Sequence, residues 1–274
     1  MRSRIVRGVA VMVALFGVAA VGLFGVASAG AAPSGKAYTC TGGNFTGDPS
    51  TSTFTTIPPG KYSSITIAGV CNVQADAMYN VSGNLNVAPG ALFDAQDVAS
   101  TITIGHNVTA GAGSFLGLGC QPNDAHQRHP CGFEPDGTSV ISVGGNVTAT
   151  DAFLVLLNGI TVGQNVTLSG GGGGDWAEKS NTIGGNFNAS DITPDWFGAL
   201  YNQVGGNMNL SNIWAVDPGD GGFGSVNLVI NTIGRNLNCE GLGPRLSAGF
   251  VPGSVNTVGH RTTGQCVGLV GGSS

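Results

Sequence analysis

The chain has 274 residues, of which 48 are glycine, 9% are charged and 7% are aromatic. This composition is too apolar for a disordered protein and too poor in helix-forming residues for a helical one. Val, Ile, Thr, Asn and Gly dominate, so we expect strands and tight turns.

Residues 1–32 have the pattern of a secretory signal peptide. Arg2, Arg4 and Arg7 precede a long apolar run, which is followed by the small residues "ASAGAA". We expect cleavage after one of these alanines, and hence a protein that is secreted to the extracellular space or the cell envelope. Because the apolar run is long for a signal peptide, an uncleaved membrane anchor is the alternative.

The remaining chain is acidic. Without the three signal arginines it has seven basic residues against 15 acidic ones, which gives a net charge of −8. No basic patch or run is available to neutralise phosphates, so nucleic acid is not an expected partner.

The six cysteines follow a signal peptide and are even in number, so disulfides are expected. Although six cysteines allow 15 pairings, their order suggests three bridges between neighbours. These are Cys40 with Cys71, Cys120 with Cys131, and Cys239 with Cys266. A zinc site is the weaker alternative, because no C-x-x-C pair occurs.

Residues 33–80 are predicted to form an N-terminal cap and a first irregular coil. The segment "GKYSSITIAGVCNV" at 60–73 resembles an irregular strand pair that precedes the repeats. Residues 267–274, at the other end, are predicted to be a flexible tail.

Residues 81–266 contain a short repeat such as "TVGQNVTL" at 161–168 and "TIGGNFNA" at 182–189. Successive copies are 19 to 39 residues apart, and periods of this size indicate stacked repeats. A degenerate last copy has Arg261 at the anchor position. The other anchors are Asn84, Asn107, Asn146, Asn165, Asn186, Asn207 and Asn236.

Apolar residues alternate with polar ones on both sides of each G-x-N step, as strands do. Each copy is therefore a strand, a sharp corner and a strand, and we attribute the glycine and asparagine to a corner with positive φ. Stacked coils of this kind predict a single-domain, all-β, right-handed parallel β-helix with disulfide-closed ends. The anchor asparagines are predicted to form a hydrogen-bonded ladder along it.

The repeats resemble the polymer-forming, bactofilin-like β-helices, whose coils also turn on G-x-N or G-x-I steps. The resemblance covers residues 81–263 and implies a β-helix with a tendency to self-associate. This chain departs from those proteins in its disulfides and its signal peptide. A resemblance to the pectate-lyase-like β-helices covers architecture only.

The three tryptophans follow the anchors of consecutive coils by 11, 10 and 7 residues. Trp176, Trp196 and Trp214 are therefore predicted to share one side of the rod and to stack on sugar rings of a polysaccharide. The alternative is that they fill the coil interior or cap its groove.

A polysaccharide-degrading enzyme is the competing hypothesis, because such enzymes need converging carboxylates and a basic residue. Lys179 and Arg235 are the nearest basic residues, but no catalytic or phosphate-loop motif is recognisable. We therefore predict no catalytic residue, no metal and no cofactor. The candidate carboxylates would be Asp191, Asp195, Asp217 and Asp220.

Several of the repeated asparagines also match the N-x-S/T pattern of glycosylation sites. We prefer the alternative that these asparagines stack in a ladder along the rod. Two weaker hypotheses are metal binding by Asp124, His126 and His129, and ice binding by outward threonines such as Thr103 and Thr161. The glycosylation sites are Asn44, Asn80, Asn107, Asn146, Asn165, Asn188 and Asn209.

These patterns together predict a secreted, non-catalytic structural or adhesive β-solenoid at the cell envelope. Glycan binding to cell-wall or extracellular polysaccharide is a further hypothesis. The alternative function is a polysaccharide lyase or hydrolase of the β-helix class.

Overall fold

The computed structural model describes residues 35–46, 51–122, 129–216, 226–249 and 253–271. They form a single all-β domain, a parallel β-solenoid of about nine turns. The predicted fold class is confirmed. Residues 1–32 of the predicted signal peptide lie outside the described residues.

Each regular coil has three sides, because the G-x-N bend divides one side into two short strands. β1 (Lys36–Cys40) and β3 (Gly60–Ile67) begin the sheet that contains this bend. The strands before the bend are β5 (Ala77–Val81), β8 (Ser100–Ile104), β11 (Val140–Val143), β14 (Thr161–Val162), β17 (Thr182–Ile183), β20 (Gln203–Val204), β23 (Thr232–Ile233) and β26 (Thr257–Val258). The strands after it are β6 (Leu85–Val87), β9 (Val108–Ala110), β12 (Val147–Thr150), β15 (Val166–Ser169), β18 (Phe187–Ile192), β21 (Met208–Ile213), β24 (Leu237–Glu240) and β27 (Thr262–Gly264).

The remaining strands build a second, nine-stranded parallel sheet, which closes the coil. Its members are β2 (Thr55–Thr56), β4 (Val70–Asn72), β7 (Leu92–Ala95), β10 (Phe115–Leu118), β13 (Leu154–Asn158), β16 (Asp175–Lys179), β19 (Trp196–Leu200), β22 (Val226–Val229) and β25 (Leu246–Ser247).

Alternation along the strands fills the interior with columns of equivalent residues. One column runs through Val147, Val166, Phe187, Met208 and Leu237, each paired in register with the next and each fully buried. Burying apolar side chains on every coil supplies the main stabilising term, at about 25 cal/mol per Å² of apolar surface.

The glycine of the G-x-N bend is needed for close stacking, which corrects the predicted reason for it. Gly144, Gly163, Gly184 and Gly205 do not have positive φ. A Cβ on any of them would instead meet the carbonyl oxygen of the glycine one coil earlier. The anchor asparagines also lack positive φ.

Positive φ occurs at the other two corners of the coil. The corner after the repeat uses Asp151, Gly170, Asp191, Asn212 and Gly241 in successive coils. The corner after the nine-stranded sheet uses Gly159 and then Ser180, Tyr201 and Ile230. Ile230 is β-branched at a φ of 52°, a conformation that such residues rarely adopt.

Disulfides close both ends, as predicted. Cys40 in β1 is bonded to Cys71 in β4, and Cys239 in β24 to Cys266 in a 3₁₀ helix, Gln265–Leu269. A third bond joins Cys120 to Cys131 in the long side loop.

The ordered solenoid extends beyond the predicted boundaries. β1 already pairs in parallel with β3, so both strands belong to the same sheet as the repeats. The predicted flexible tail is wrong over 267–271, because the 3₁₀ helix covers 265–269 and Val270 forms a parallel bridge with Asn256.

Candidate functional site

The seven anchor asparagines form one continuous row, which we call the bend ladder. The backbone N–H of Asn165 donates to Oδ1 of Asn146 at 3.1 Å, and its side-chain amide donates to the same atom at 3.0 Å. Asn186 donates to Asn165 in the same way, at 2.8 and 3.2 Å. The row begins at Asn84 and ends at the backbone N–H of Arg261.

A second row, the core ladder, consists of Asn181, Asn202, Asn231 and Asn256, all buried. Nδ2 of Asn202 donates to Oδ1 of Asn231 at 3.0 Å and to the carbonyl of Glu178 at 2.8 Å. In this ladder each amide-to-amide bond is donated to the asparagine of the following coil, whereas in the bend ladder it is donated to the asparagine of the preceding coil. The two rows of amide dipoles therefore point in opposite directions along the rod.

Sequence reasoning missed the core ladder, although a signal for it was present. Asparagine stands five residues before the anchor position in each of the last four copies, as in "NTIGGN" from Asn181. The three copies before these have isoleucine there, for example Ile141 and Ile160, and the ladder starts where Ile160 donates its N–H to Asn181.

The predicted row of three tryptophans is wrong. Trp176 is fully buried in the core and pairs with Phe197, whereas Trp196 pairs with Asp175 and faces outward over Gly198. The cause is the difference between 11 and 10 residues from the anchors, because a shift of one residue moves a side chain to the opposite face of a strand.

Trp214 lies at the corner where the bend-containing sheet ends and is 56% exposed. Its indole ring occupies the place where a Cβ on Gly243, one coil further, would stand. Phe153 is 43% exposed and its ring covers Gly173 in the same way.

Phe153 is also part of a shallow groove at this corner, which we call the corner groove. It is lined by Phe153, the glycines 171–173, Thr193, Asp195 and Val216. These residues come from four successive coils, since Gly172, Thr193 and Val216 donate backbone N–H groups to Ala152, Gly171 and Pro194.

The predicted acidic cluster is not assembled among the described residues. Asp191 lies at a corner, where its side chain accepts a hydrogen bond from Asn212 at 3.0 Å. Asp195 lines the corner groove. Asp217 and Asp220 lie outside the described residues.

The two basic residues named with this cluster are elsewhere. Lys179 is on the outer face of the nine-stranded sheet, where burial lowers its pKa. Burial and the charge of Lys179 together lower the pKa of His129 to about 4. Arg235 is at a G-x-N bend, with its N–H donated to Gly206.

A different carboxyl pair was not anticipated. Asp94 is buried on the outer face of β7, and burial and the neighbouring Asp97 raise its pKa to about 7. Burial also raises the pKa of Asp97, while its hydrogen bond with Asp94 opposes this. Asp94 is therefore the proton donor of the pair. The loop after Cys131 lies against Asp97, since Phe133 donates its N–H to the Asp97 carbonyl.

Glu178 has the most unusual environment of the ionisable groups that the structure describes. It lies in an inward column of the nine-stranded sheet between Leu157 and Ala199, and it is fully buried. Neither carboxyl oxygen has a hydrogen-bond partner among the described residues. Burial raises its pKa well above the ordinary value for glutamate.

The remaining predicted patterns have mixed environments. Asn107, Asn146 and Asn165 use their side chains in the bend ladder, which leaves them unsuited to carry glycans. Two of the three residues in the metal-binding hypothesis, Asp124 and His126, lie outside the described residues. Among the described residues no group of three or more His, Cys, Asp or Glu side chains could hold a metal ion.

Outward threonines and asparagines do form regular rows. Thr148 and Thr167 continue into Asn188, Asn209 and Asn238, which pair in register across successive coils. Nδ2 of Asn209 donates to Asn188 at 2.7 Å, and Asn238 donates to Asn209 at the same distance. These side-chain amides therefore form hydrogen bonds with one another along the row.

Comparisons with protein families, curated proteins and solved structures found no match to this chain. The resemblance to bactofilin-like proteins accordingly rests on the repeat pattern alone. In the part of the chain that is described, no helix is long and apolar enough to cross a membrane.

Proposed function

We propose that this protein is a secreted, non-catalytic β-solenoid that acts as a rigid structural or adhesive element at the cell envelope. The observation that carries the proposal is the pair of amide ladders. They join coil to coil by side chains as well as by backbone, from Asn84 to Arg261 and from Ile160 to Asn256.

A rod held in this way resists bending and fraying, because every coil in the ladders is bonded to both neighbours. The three disulfides add covalent closure and are typical of proteins outside the reducing cytosol. Few charged residues and many hydroxyl and amide groups suit contact with a polysaccharide. End-to-end self-association is a second mode of assembly, through the strand edges of the terminal coils.

The test is co-sedimentation of the purified, oxidised protein with insoluble cell-wall fractions, combined with an assay for released reducing sugars. Retention on the wall without sugar release supports the proposal. Protein that stays in the supernatant at every protein concentration, or that depolymerises the wall, contradicts it. Reduced and alkylated protein is the matched control for the folded rod.

A polysaccharide-active enzyme is the second candidate, favoured by one observation. Burial and the neighbouring Asp97 raise the pKa of Asp94 to about 7, and a carboxyl pKa raised in this way is a property of acid–base catalysts. Asp94 is nevertheless almost inaccessible, which favours a structural role. Sugar release by the wild type that Asp94→Asn abolishes would establish the enzyme.

A further inference from the structure

Two exposed aromatic rings lie at different heights along this corner of the rod: Phe153 lines the corner groove, and Trp214 lies two residues before the lining residue Val216. Phe153, Gly172, Thr193 and Trp214 hold corresponding positions in four successive coils, as their backbone hydrogen bonds to the preceding coil require. Three coil steps separate the two rings, which corresponds to about 14 Å along the axis. This length suits an oligosaccharide segment that lies parallel to the rod.

Each ring lies on a glycine, and this leaves one face available. The Phe153 ring covers Gly173 and the Trp214 ring covers Gly243. Both side chains remain about half exposed although a face of each is packed. A flat apolar face at the surface is suited to stacking against a sugar ring.

One of the coils between the rings contributes only glycine to the groove. Residues 171–173 have no side chains, and a Cβ on Gly171 or Gly172 would meet the backbone of Ala152 or Thr193. Glycine is therefore required here for the close stacking of neighbouring coils, and no side chain of residues 171–173 obstructs the groove.

Trp176 supports this glycine segment from inside the solenoid. Its indole N–H donates to the carbonyl oxygens of Phe153 at 3.2 Å and of Gly173 at 3.1 Å. Because Trp176 is fully buried, the groove is held in shape before any ligand arrives, which lowers the entropic cost of binding.

The polar groups of the groove define the charge of a ligand. Thr193 and Asp195 lie between the two rings, and Asp151 also contributes to the lining. Carboxylates accept hydrogen bonds from sugar hydroxyls but repel an anionic polymer. The net negative charge of the chain acts in the same direction.

We propose that the corner groove binds a neutral polysaccharide chain parallel to the rod axis, with sugar rings stacked on Phe153 and Trp214 and hydroxyls bonded to Asp195. This rests on the proposed adhesive function and names its ligand class. Trp176 acts as a positioning residue for the groove and does not touch the ligand.

The test is titration of the purified, oxidised protein with cellohexaose and chitohexaose, with polygalacturonate as the anionic comparator. We expect a neutral hexasaccharide to bind. Phe153→Ala and Trp214→Ala should each weaken binding by roughly fivefold to tenfold, because each removes one stacking contact. Phe133→Ala is the matched control, since Phe133 is an exposed ring outside the groove.

Three results would overturn the proposal: wild-type protein that binds neither hexasaccharide, a Phe153→Ala/Trp214→Ala double variant that binds as tightly as wild type, or preference for polygalacturonate. Melting curves of each variant verify that the rod is intact. If the groove variants lose hexasaccharide binding but still sediment with cell walls, the rod adheres through another surface. Cell-wall sedimentation therefore tests the proposed adhesion, and hexasaccharide titration tests the groove, independently of each other.

Discussion

Nδ2 of Asn202 lies 3.0 Å from Oδ1 of Asn231, and both side chains are almost completely buried. Asn202 also accepts the backbone N–H of Asn181 at 3.0 Å and donates to the Glu178 carbonyl at 2.8 Å. One amide in the middle of the solenoid thus satisfies polar groups of the coils on both sides.

We expect Asn202→Ala to lower the free energy of unfolding by on the order of 3 kcal/mol, because it leaves several buried polar groups unpaired. Asn165→Ala in the half-buried bend ladder should cost only about 1 kcal/mol, since water can replace the lost bonds. Denaturant titration of both variants measures the difference. Equal losses would show that burial of the core ladder adds nothing.

Glu178→Leu is expected to stabilise the protein at neutral pH by roughly 2 kcal/mol. The substitution replaces a desolvated carboxyl with no partner among the described residues by an apolar side chain in a column between Leu157 and Ala199. Glu178→Gln is the control, because it removes the ionisation but keeps an unpaired polar group. A destabilised leucine variant would contradict this account of the site.

The pH dependence follows from the direction of the shift. The folded protein holds the Glu178 proton more tightly than the unfolded chain does, so its contribution to stability is complete below the unfolded pKa. That contribution decreases as the pH rises above the ordinary glutamate value of about 4.3 towards the folded pKa. Unfolding midpoints measured from about pH 4 to about pH 8 should decline less in Glu178→Gln and Glu178→Leu than in wild type.

The sequence predicts the solenoid well because its repeats carry the alternation of the strands and the spacing of the coils. Strand pairing, the bend ladder and the neighbour disulfides follow from local pattern and chain order. The face on which Trp176 lies was missed because Trp176 and Trp196 stand at adjacent positions of coils of equal length, where Trp176 pairs with Phe197 and Trp196 with Asp175. The raised pKa of Asp94 depends on its burial next to Asp97, which the local sequence pattern does not show, and the corner groove depends on aligning Phe153 with Trp214.

Asp94→Asn should also reduce the loss of stability with rising pH, because it removes a second carboxyl with a raised pKa. The pKa of Asp94 is raised to about 7 in the folded protein, whereas the unfolded value is about 3.9. The stabilisation by the bound proton is therefore complete below the unfolded pKa and is lost as the pH rises through 7. Asparagine still offers an oxygen to the N–H of Gln96, which Asp94 accepts at 2.8 Å. We expect the variant to be more stable than wild type by roughly 2 kcal/mol near pH 8.

Thermal unfolding at several pH values measures this effect, and the double variant Asp94→Asn/Glu178→Gln separates the two carboxyls. Because the sites lie in different coils, their effects should add. A wild-type curve that is flat over this pH range would show that neither proton is retained on folding.

Removal of the Cys239–Cys266 bond should loosen the C-terminal coil before the middle of the rod. The bond joins β24 to the 3₁₀ helix and closes a segment of 27 residues, worth on the order of 3 kcal/mol in the chain-entropy model. In Cys239→Ser/Cys266→Ser, amide hydrogens of β26 and β27 should exchange faster, whereas β14 to β18 keep their protection because ladders and neighbouring coils hold them on both sides. The Cys120→Ser/Cys131→Ser variant is the control, because the Cys120–Cys131 bond lies in a side loop. Loss of this bond should leave the C-terminal coil unchanged. Faster exchange spread evenly over all coils would mean that the solenoid unfolds as one unit, and that the terminal disulfide stabilises the whole rod instead of its end.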